Sequence, residues 1–323
     1  MRNAKTLKSM FLCGMVLVIA IPTTVSAKAL RSPVQTGDDI IIAKGDIPTP
    51  EKYHSAITNY LSYTTEQLGK MVSQLETLNK SLKKGDLKTA EQAYIQAHQY
   101  YESVRPIIIL FGNTDRTINA RADYFLDKEK DYRFTGFHLI EYQLFDRKDS
   151  KAALAATDEL LLKARDLQKR VATERVEIPK LVQASADFIE MILETKLAGK
   201  ENIYSQSDLS DIAANLQGSQ HVIKVLTPFI APNVLQRIQN NYQKANEIMK
   251  PYQLPSGIYQ PYNQLSKKDM MALYSVLTQQ AEDLAQLRYQ LSVDVYYKYW
   301  GNKPWRLNYK TILQLSAYLG AMH

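Results

Sequence analysis

The chain has 323 residues, 45% of them hydrophobic and 23% charged, which is enough length and apolar content for a sizeable core. Forty lysines and arginines against 33 acids give a net charge of +7. These charges are interspersed along helical segments, the pattern of solvated helix faces rather than a phosphate-tracking stripe, and no glycine-rich phosphate loop appears, so nucleic acid is not an expected partner.

Arg2, Lys5 and Lys8, an apolar run from Met10 to Ile21 and the small-residue signal Val25-Ser26-Ala27 predict a secretory signal peptide over residues 1–27, cleaved after Ala27. The run is shorter than the roughly 20 residues that span a bilayer. Cys13, the sole cysteine, lies inside it without the small residues a lipobox requires, and leaves with the signal. The mature chain is then free of cysteine, so neither disulfides nor thiolate ligands are available, and its net charge falls to +4. Residues 28–50 mix Gly, Pro, Asp and Lys without periodicity and read as a flexible linker.

Helices follow. Pro50 suits a first helical position, and Ile57, Leu61, Thr64, Leu68, Met71, Leu75, Leu78 and Leu82 alternate spacings of four and three, predicting a long seam helix. Lys84-Gly85-Asp86 ends it and caps the next, which places Ala90, Ala93, Tyr94, Ala97, Tyr101 and Val104 on one side before Pro106 stops or kinks it. A loop from Asn113 to Asp123 precedes a helix over Phe134–Phe145, and another helix runs from Lys151 to about Ala172. Segments near 178–198, 207–227, 232–250 and 267–291 are helical too, and no run has a strand period. The predicted fold class is all-α, two packed antiparallel helical bundles over about 51–175 and 176–293. Residues 294–323, with VYYKYW and NKPWRLNYK, form a basic aromatic extension. It reads first as a final helix with the stripe Leu313, Leu315, Tyr318 and Leu319, and second as a peripheral membrane or permease-docking segment.

The helix FTGFHLIEYQLF carries the sharpest chemistry. His138 and Glu141 are three apart and so share a face, beside Phe137, Leu144 and Phe145. A buried carboxylate next to a buried imidazole needs compensation for desolvation, which a bound cation supplies to both, although the two can also hydrogen-bond each other.

Several motifs in order make the chain familiar. Gly85-Asp86 before a helix, Tyr101-Glu102 before Pro106, Asp and Arg in the following loop, and Gly136-x-His138-x-x-Glu141 resemble the EfeO/EfeM family. So do Tyr204-Ser205-Gln206-Ser207-Asp208-Leu209, Ala214-Asn215 and Gly218. The resemblance spans roughly Tyr53 to Val293 and implies an imelysin-like helical domain whose two bundles share one core. It implies an extracytoplasmic iron-binding component, periplasmic or extracellular, working beside an EfeB-like haem peroxidase and an EfeU-like iron permease.

Carried over by motif, the metal ligands fall on Glu102, His138, Glu141 and Glu201. Carboxylates plus one imidazole suit iron, ferrous or ferric, with zinc and manganese as alternatives and copper less apt because its reduced form prefers sulfur. Read without a metal, Glu102 is a helix acid pairing with Arg105 and Glu201 a solvated loop acid. Two positions depart from the family pattern: Arg105 stands where that family has a glutamate before the proline, and Asn119 where it has an aspartate before Ala-Arg. An arginine cannot ligate a metal. Asp115 is the expected compensating acid, and His98, four before Glu102, an extra candidate. Asp208 and Asp211 read first as N-cap and first-turn acids.

Two other functions stay open. Zinc peptidases of the related motifs require a second histidine, whereas Tyr142 follows Glu141, so the chain reads as a binding protein rather than an enzyme. The 21 tyrosines together with the acids also suit a carbohydrate-binding module holding calcium-bridged polyuronates.

Overall fold

The computed structural model describes residues 49–293; the signal segment, most of the linker and the C-terminal extension of the sequence reading lie outside the described residues. A short turn over Glu51–Tyr53 leads into α1 (His54–Lys84). Its seam from Thr64 onward is buried as the spacing predicts, but the first three turns bury Ala56, Tyr60 and Tyr63 while Ile57 and Leu61 are half-buried. The wide tyrosine rings, rather than the aliphatic residues beside them, set which face turns inward there.

Gly85, at φ 75°, ends α1 in the left-handed conformation that glycine adopts at no steric cost, and the Asp86 side chain accepts from Thr89 N to start α2 (Leu87–Glu102). Pro106 sits in the first turn of the short α3 (Arg105–Ile108). The expected loop that follows contains a further turn of helix, α4 (Thr114–Ile118). The motif helix is shorter than its apolar pattern suggests: α5 covers Phe137–Glu141 and passes into a π turn at Tyr142–Asp146, with Arg147 N bonded to Tyr142 O. Asp149 then caps α6 (Ser150–Val171) through Ala152 N.

The second half comprises α7 (Ile178–Glu194), α8 (Asp208–Leu226), α9 (Pro232–Met249), α10 (Lys267–Ala285) and the short α11 (Leu287–Gln290). Among the described residues there is no strand, only one isolated bridge between Gln253 and Tyr259. No helix among them is long and apolar enough to cross a membrane.

The first bundle packs α1 against α2 and α6, with α5 on α6; the second packs α7 against α8 and α10, and α9 against α10. Helix α8 also meets α1, α2 and α9, and it is buried on nearly every side. Its Gly218 explains the closeness: a β-carbon there would collide with the Ser103 carbonyl oxygen and the Phe188 ring. One hydrophobic core runs through both bundles, from Tyr53 and Leu68 to Phe188, Ile212 and Leu277. Polar residues interrupt that core where the start of α8, the end of α2 and α5 converge.

Candidate metal centre

Gly136 precedes α5 with φ 83°, and any β-carbon there would strike the backbone of Ile118. The glycine of the motif therefore lets α5 close down on the 113–119 segment. His138 and Glu141 are both buried, and His138 Nδ1 donates to Glu141 Oε2 at 2.8 Å. Glu141 Oε1 accepts from the backbone N of Tyr204 and Ser205 and from Ser205 Oγ, at 3.0, 2.9 and 3.0 Å. Glu141 thus takes four donors, three on Oε1 and one on Oε2. With Nδ1 as the donor, the neutral form of His138 carries its lone pair on Nε2. Nε2 is buried, has no hydrogen-bond partner, and faces Glu201 Oε1 at 4.0 Å.

The carboxylates expected around this imidazole are gathered on a guanidinium. Arg105 Nη1 lies 2.6 Å from Glu201 Oε1 and 3.1 Å from Glu102 Oε1, while its Nε donates to Asp115 Oδ1 at 3.0 Å. Tyr101 Oη donates to the same Asp115 oxygen at 2.7 Å. Glu201 is no solvated loop acid: it is 4% exposed, and Thr195 Oγ1 donates to its Oε2 at 2.6 Å. Burial alone would raise the Glu201 pKa, but Lys196 and Arg105 outweigh it and hold the carboxyl well below its usual range.

A second cation sits alongside. Lys196, fully buried, places Nζ 3.0 Å from Glu102 Oε2, 3.3 Å from Asp211 Oδ2 and 3.8 Å from Glu201 Oε1. His98 bridges the same groups, with Nδ1 3.2 Å from Asp211 Oδ2 and Nε2 2.8 Å from Asn119 Oδ1. Burial works against the His98 imidazolium, yet Asp211 and Glu102 hold its pKa up at about 9, so it is a cation at neutral pH. Asn119 Nδ2 and Asn215 Nδ2 donate to the two oxygens of Glu102 at 2.9 and 3.0 Å.

His98, Glu102 and Asp211 offer ligand atoms within 4.8 Å of one another, the spacing of a metal site. Lys196 Nζ already neutralises two of the three. Asp208, also fully buried, accepts only from Asn202 N at 3.3 Å, and burial lifts its pKa to about 7. Neither Asp208 nor Asp211 caps α8 through its side chain; the cap position is Ser207.

The structure thus brings Glu102, Asp115, Glu141, Glu201 and His138 into one connected cluster, the first three acids differing in what they touch. Lys196 and the inward orientation of Asp208 and Asp211 were not expected. The signal for both is periodicity: Lys196 continues the stripe Ser185, Ile189, Ile192 at a spacing of four, and Asp208, Asp211, Asn215 and Ser219 recur at three and four along α8.

A model of the imelysin family matches residues 56–291. The chain belongs to the imelysin family. Two curated relatives are iron uptake system components named EfeO. The one from Shigella boydii serotype 4 is 35% identical over 242 residues, and the one from Yersinia pseudotuberculosis serotype I is 36% identical over 241. Each match covers 74% of this imelysin and 64% of the relative's length. A crystal structure of an imelysin-like protein from Psychrobacter arcticum 273-4 superposes with a TM-score of 0.55 at 12% identity, over 78% of this chain and all of that one, and shares the fold. The family carries a peptidase name.

Proposed function

We propose that this imelysin is a metal-binding component of an iron-uptake system, holding iron between His138 Nε2 and Glu201. The observation that carries the reading is a buried imidazole nitrogen with a lone pair and no donor, 4.0 Å from a buried carboxylate oxygen. Two ligands each about 2.1 Å from an ion can lie up to about 4.2 Å apart, so the gap can be spanned. Glu141 supports it as an outer carboxylate: hydrogen bonding to the far nitrogen of a metal-bound histidine fixes the tautomer and raises basicity. Charge agrees. Glu102, Asp115, Glu201 and Asp211 pair with Arg105, Arg121, Lys196 and protonated His98, while Glu141 and Asp208 stand outside those pairs, so acids outnumber these cations. Glu102 and Asp115 share Arg105 with Glu201, and so set how much of the Glu201 charge is left for an ion. Manganese and zinc fit the same donors, and copper fits them less well.

The similarity to EfeO proteins, which are named as iron uptake system components, supports iron as cargo. The proposed setting is outside the cytoplasm, beside a haem peroxidase-like partner and an iron permease. On this reading the protein binds and does not hydrolyse. Purified mature protein, stripped with chelator and titrated with iron, should take up the metal, and His138→Ala should weaken uptake by about tenfold to a hundredfold or more, at least the loss that outer-residue changes cause. Unchanged iron binding by His138→Ala would sink the assignment. Intact mass should place the mature N-terminus at Lys28.

One feature favours a second reading. An open groove of about 640 Å³ beside α8 and α9 is lined by Gln220, Lys224, Gln243, Asn246, Gln253 and Tyr259. Amides, the amines of Lys224 and Lys250 and a phenol suit an acidic sugar polymer, and Glu247 is the one acid of the lining. Iron titration with and without alginate separates the two.

A further inference from the structure

On the side of the cluster away from His138, buried oxygen atoms lack donors. Asn202 Oδ1, Asp208 Oδ2 and Asp211 Oδ1 each have no hydrogen-bond partner, and all three residues are fully buried. Asn202 ties them together: its backbone N reaches Asp208 Oδ1 at 3.3 Å and its Nδ2 reaches Asp211 Oδ2 at 2.5 Å, so the bare oxygens are the ones left over from that arrangement. Asn215 Oδ1, one turn further along α8, is bare as well.

Lys196 and His98 do not meet this need, because both approach Asp211 on Oδ2. Among the described residues Asp208 has no cationic side chain within 4.0 Å, unlike Glu102, Glu201 and Asp211. A carboxylate buried without a cation is either protonated, as the raised pKa of Asp208 allows, or ionised at a desolvation cost that a bound cation would offset. A water molecule would donate to the oxygens but would bring no positive charge to favour their ionised form.

We propose that Asn202 Oδ1, Asp208 Oδ2 and Asp211 Oδ1 form a second cation site, distinct from the one at His138, which takes a hard divalent cation of the calcium type. Two carboxylates and an amide oxygen are hard donors that fit calcium, with water completing six to eight ligands. No imidazole takes part, which disfavours zinc and copper. The site lies in the segment between α7 and α8 and in the first turn of α8, so its cation would clamp the 200–207 strap, whose Tyr204 and Ser205 backbone holds Glu141.

Calcium titration of the chelator-stripped full mature chain tests this. One calcium should bind per chain, Asp208→Asn should weaken it at least about tenfold, and His138→Ala should leave it unchanged. Calcium should also raise the melting temperature of the wild type and of His138→Ala but not of Asp208→Asn, a readout that shows the variant to be folded. No calcium binding by the wild type at millimolar concentration, or equal binding by Asp208→Asn, overturns the proposal and leaves hydration as the role of these oxygens. Iron binding lost in His138→Ala with calcium retained supports both sites. Iron binding unchanged there, with calcium lost in Asp208→Asn, supports this site and removes the one at His138.

Discussion

Arg105 and Glu201, 96 positions apart, meet at 2.6 Å inside the protein, and the arginine does there what a metal ion would do. Its guanidinium draws Glu102, Asp115 and Glu201 together and keeps all three charges compatible with burial. The EfeO/EfeM resemblance implies a carboxylate at this position, which would make Arg105 a cation standing in a ligand's place. Replacing Arg105 by Glu and Asn119 by Asp should reverse that exchange. Without metal the double variant gathers uncompensated carboxylates and should melt well below the wild type. Added iron or manganese should restore the melting temperature by mass action and bind more tightly or in greater number than in the wild type. Equal metal binding by the two proteins, measured by calorimetry and metal content, would reject the idea that Arg105 occupies a metal's place.

Glu141 takes four donors, with two backbone amides and Ser205 Oγ on Oε1 and His138 Nδ1 on Oε2. A residue so engaged acts on a metal by aiming the imidazole. Glu141→Gln keeps the shape but lets the side-chain amide donate, so the His138 tautomer is no longer fixed; iron affinity should fall about ten- to a hundredfold, less than in His138→Ala. A larger loss than in His138→Ala would make Glu141 a direct ligand. Neither wild type nor Glu141→Gln should cleave peptides when loaded with zinc, and a zinc-dependent rate abolished by the substitution would show the peptidase reading to be right.

Lys196 is fully buried and touches three carboxylates. Burial disfavours its charge, but Glu102, Glu201 and Asp211 outweigh that and raise its pKa, so it stays protonated. Lys196→Met keeps the length of the side chain and removes the charge, leaving Glu102 and Asp211 short of a partner. The expected cost is about 3–5 kcal/mol, as for other buried pairs broken on one side. Urea denaturation measures it, and a change below about 1 kcal/mol, the value typical of an exposed pair, would mean the cluster is more hydrated than its burial indicates.

The helices were legible because their signals are local. Gly85 and Asp86 mark a stop and a start, and the alanine stripe of α2 gives its buried face. The π turn after Glu141 was not legible, because an extra residue in a turn leaves the apolar pattern of Leu144 and Phe145 almost unaltered. The site was legible in its members and not in its wiring. Spacing puts His138 and Glu141 on one face, but that Glu141 Oε1 takes three donors depends on Tyr204 and Ser205, more than 60 positions away. Lys196 shows why: a lysine near a helix end is ordinarily solvated, whereas its place on the stripe of Ile189 and Ile192 points inward.

Asp187, on α7 away from the cluster, gives a prediction about pH. It is half-buried and has only a long contact, 3.5 Å, with Gln183 Nε2. Burial raises its pKa to about 6, with Glu190 adding to the rise and Gln183, Lys180 and Arg288 opposing it. An unfolded aspartate titrates near about 3.9. Between these values the folded protein holds more protons than the unfolded one, so this group's contribution to stability is full below about pH 4 and is lost as pH rises through about 6. Asp187→Asn cannot ionise and should abolish that slope. The variant should match the wild type near pH 4 and melt a few degrees higher at pH 7, as read by thermal denaturation across the range. A wild-type advantage at pH 7 would show that the Asp187 carboxylate is stabilised in the fold, by Lys180 or Arg288, more than burial penalises it.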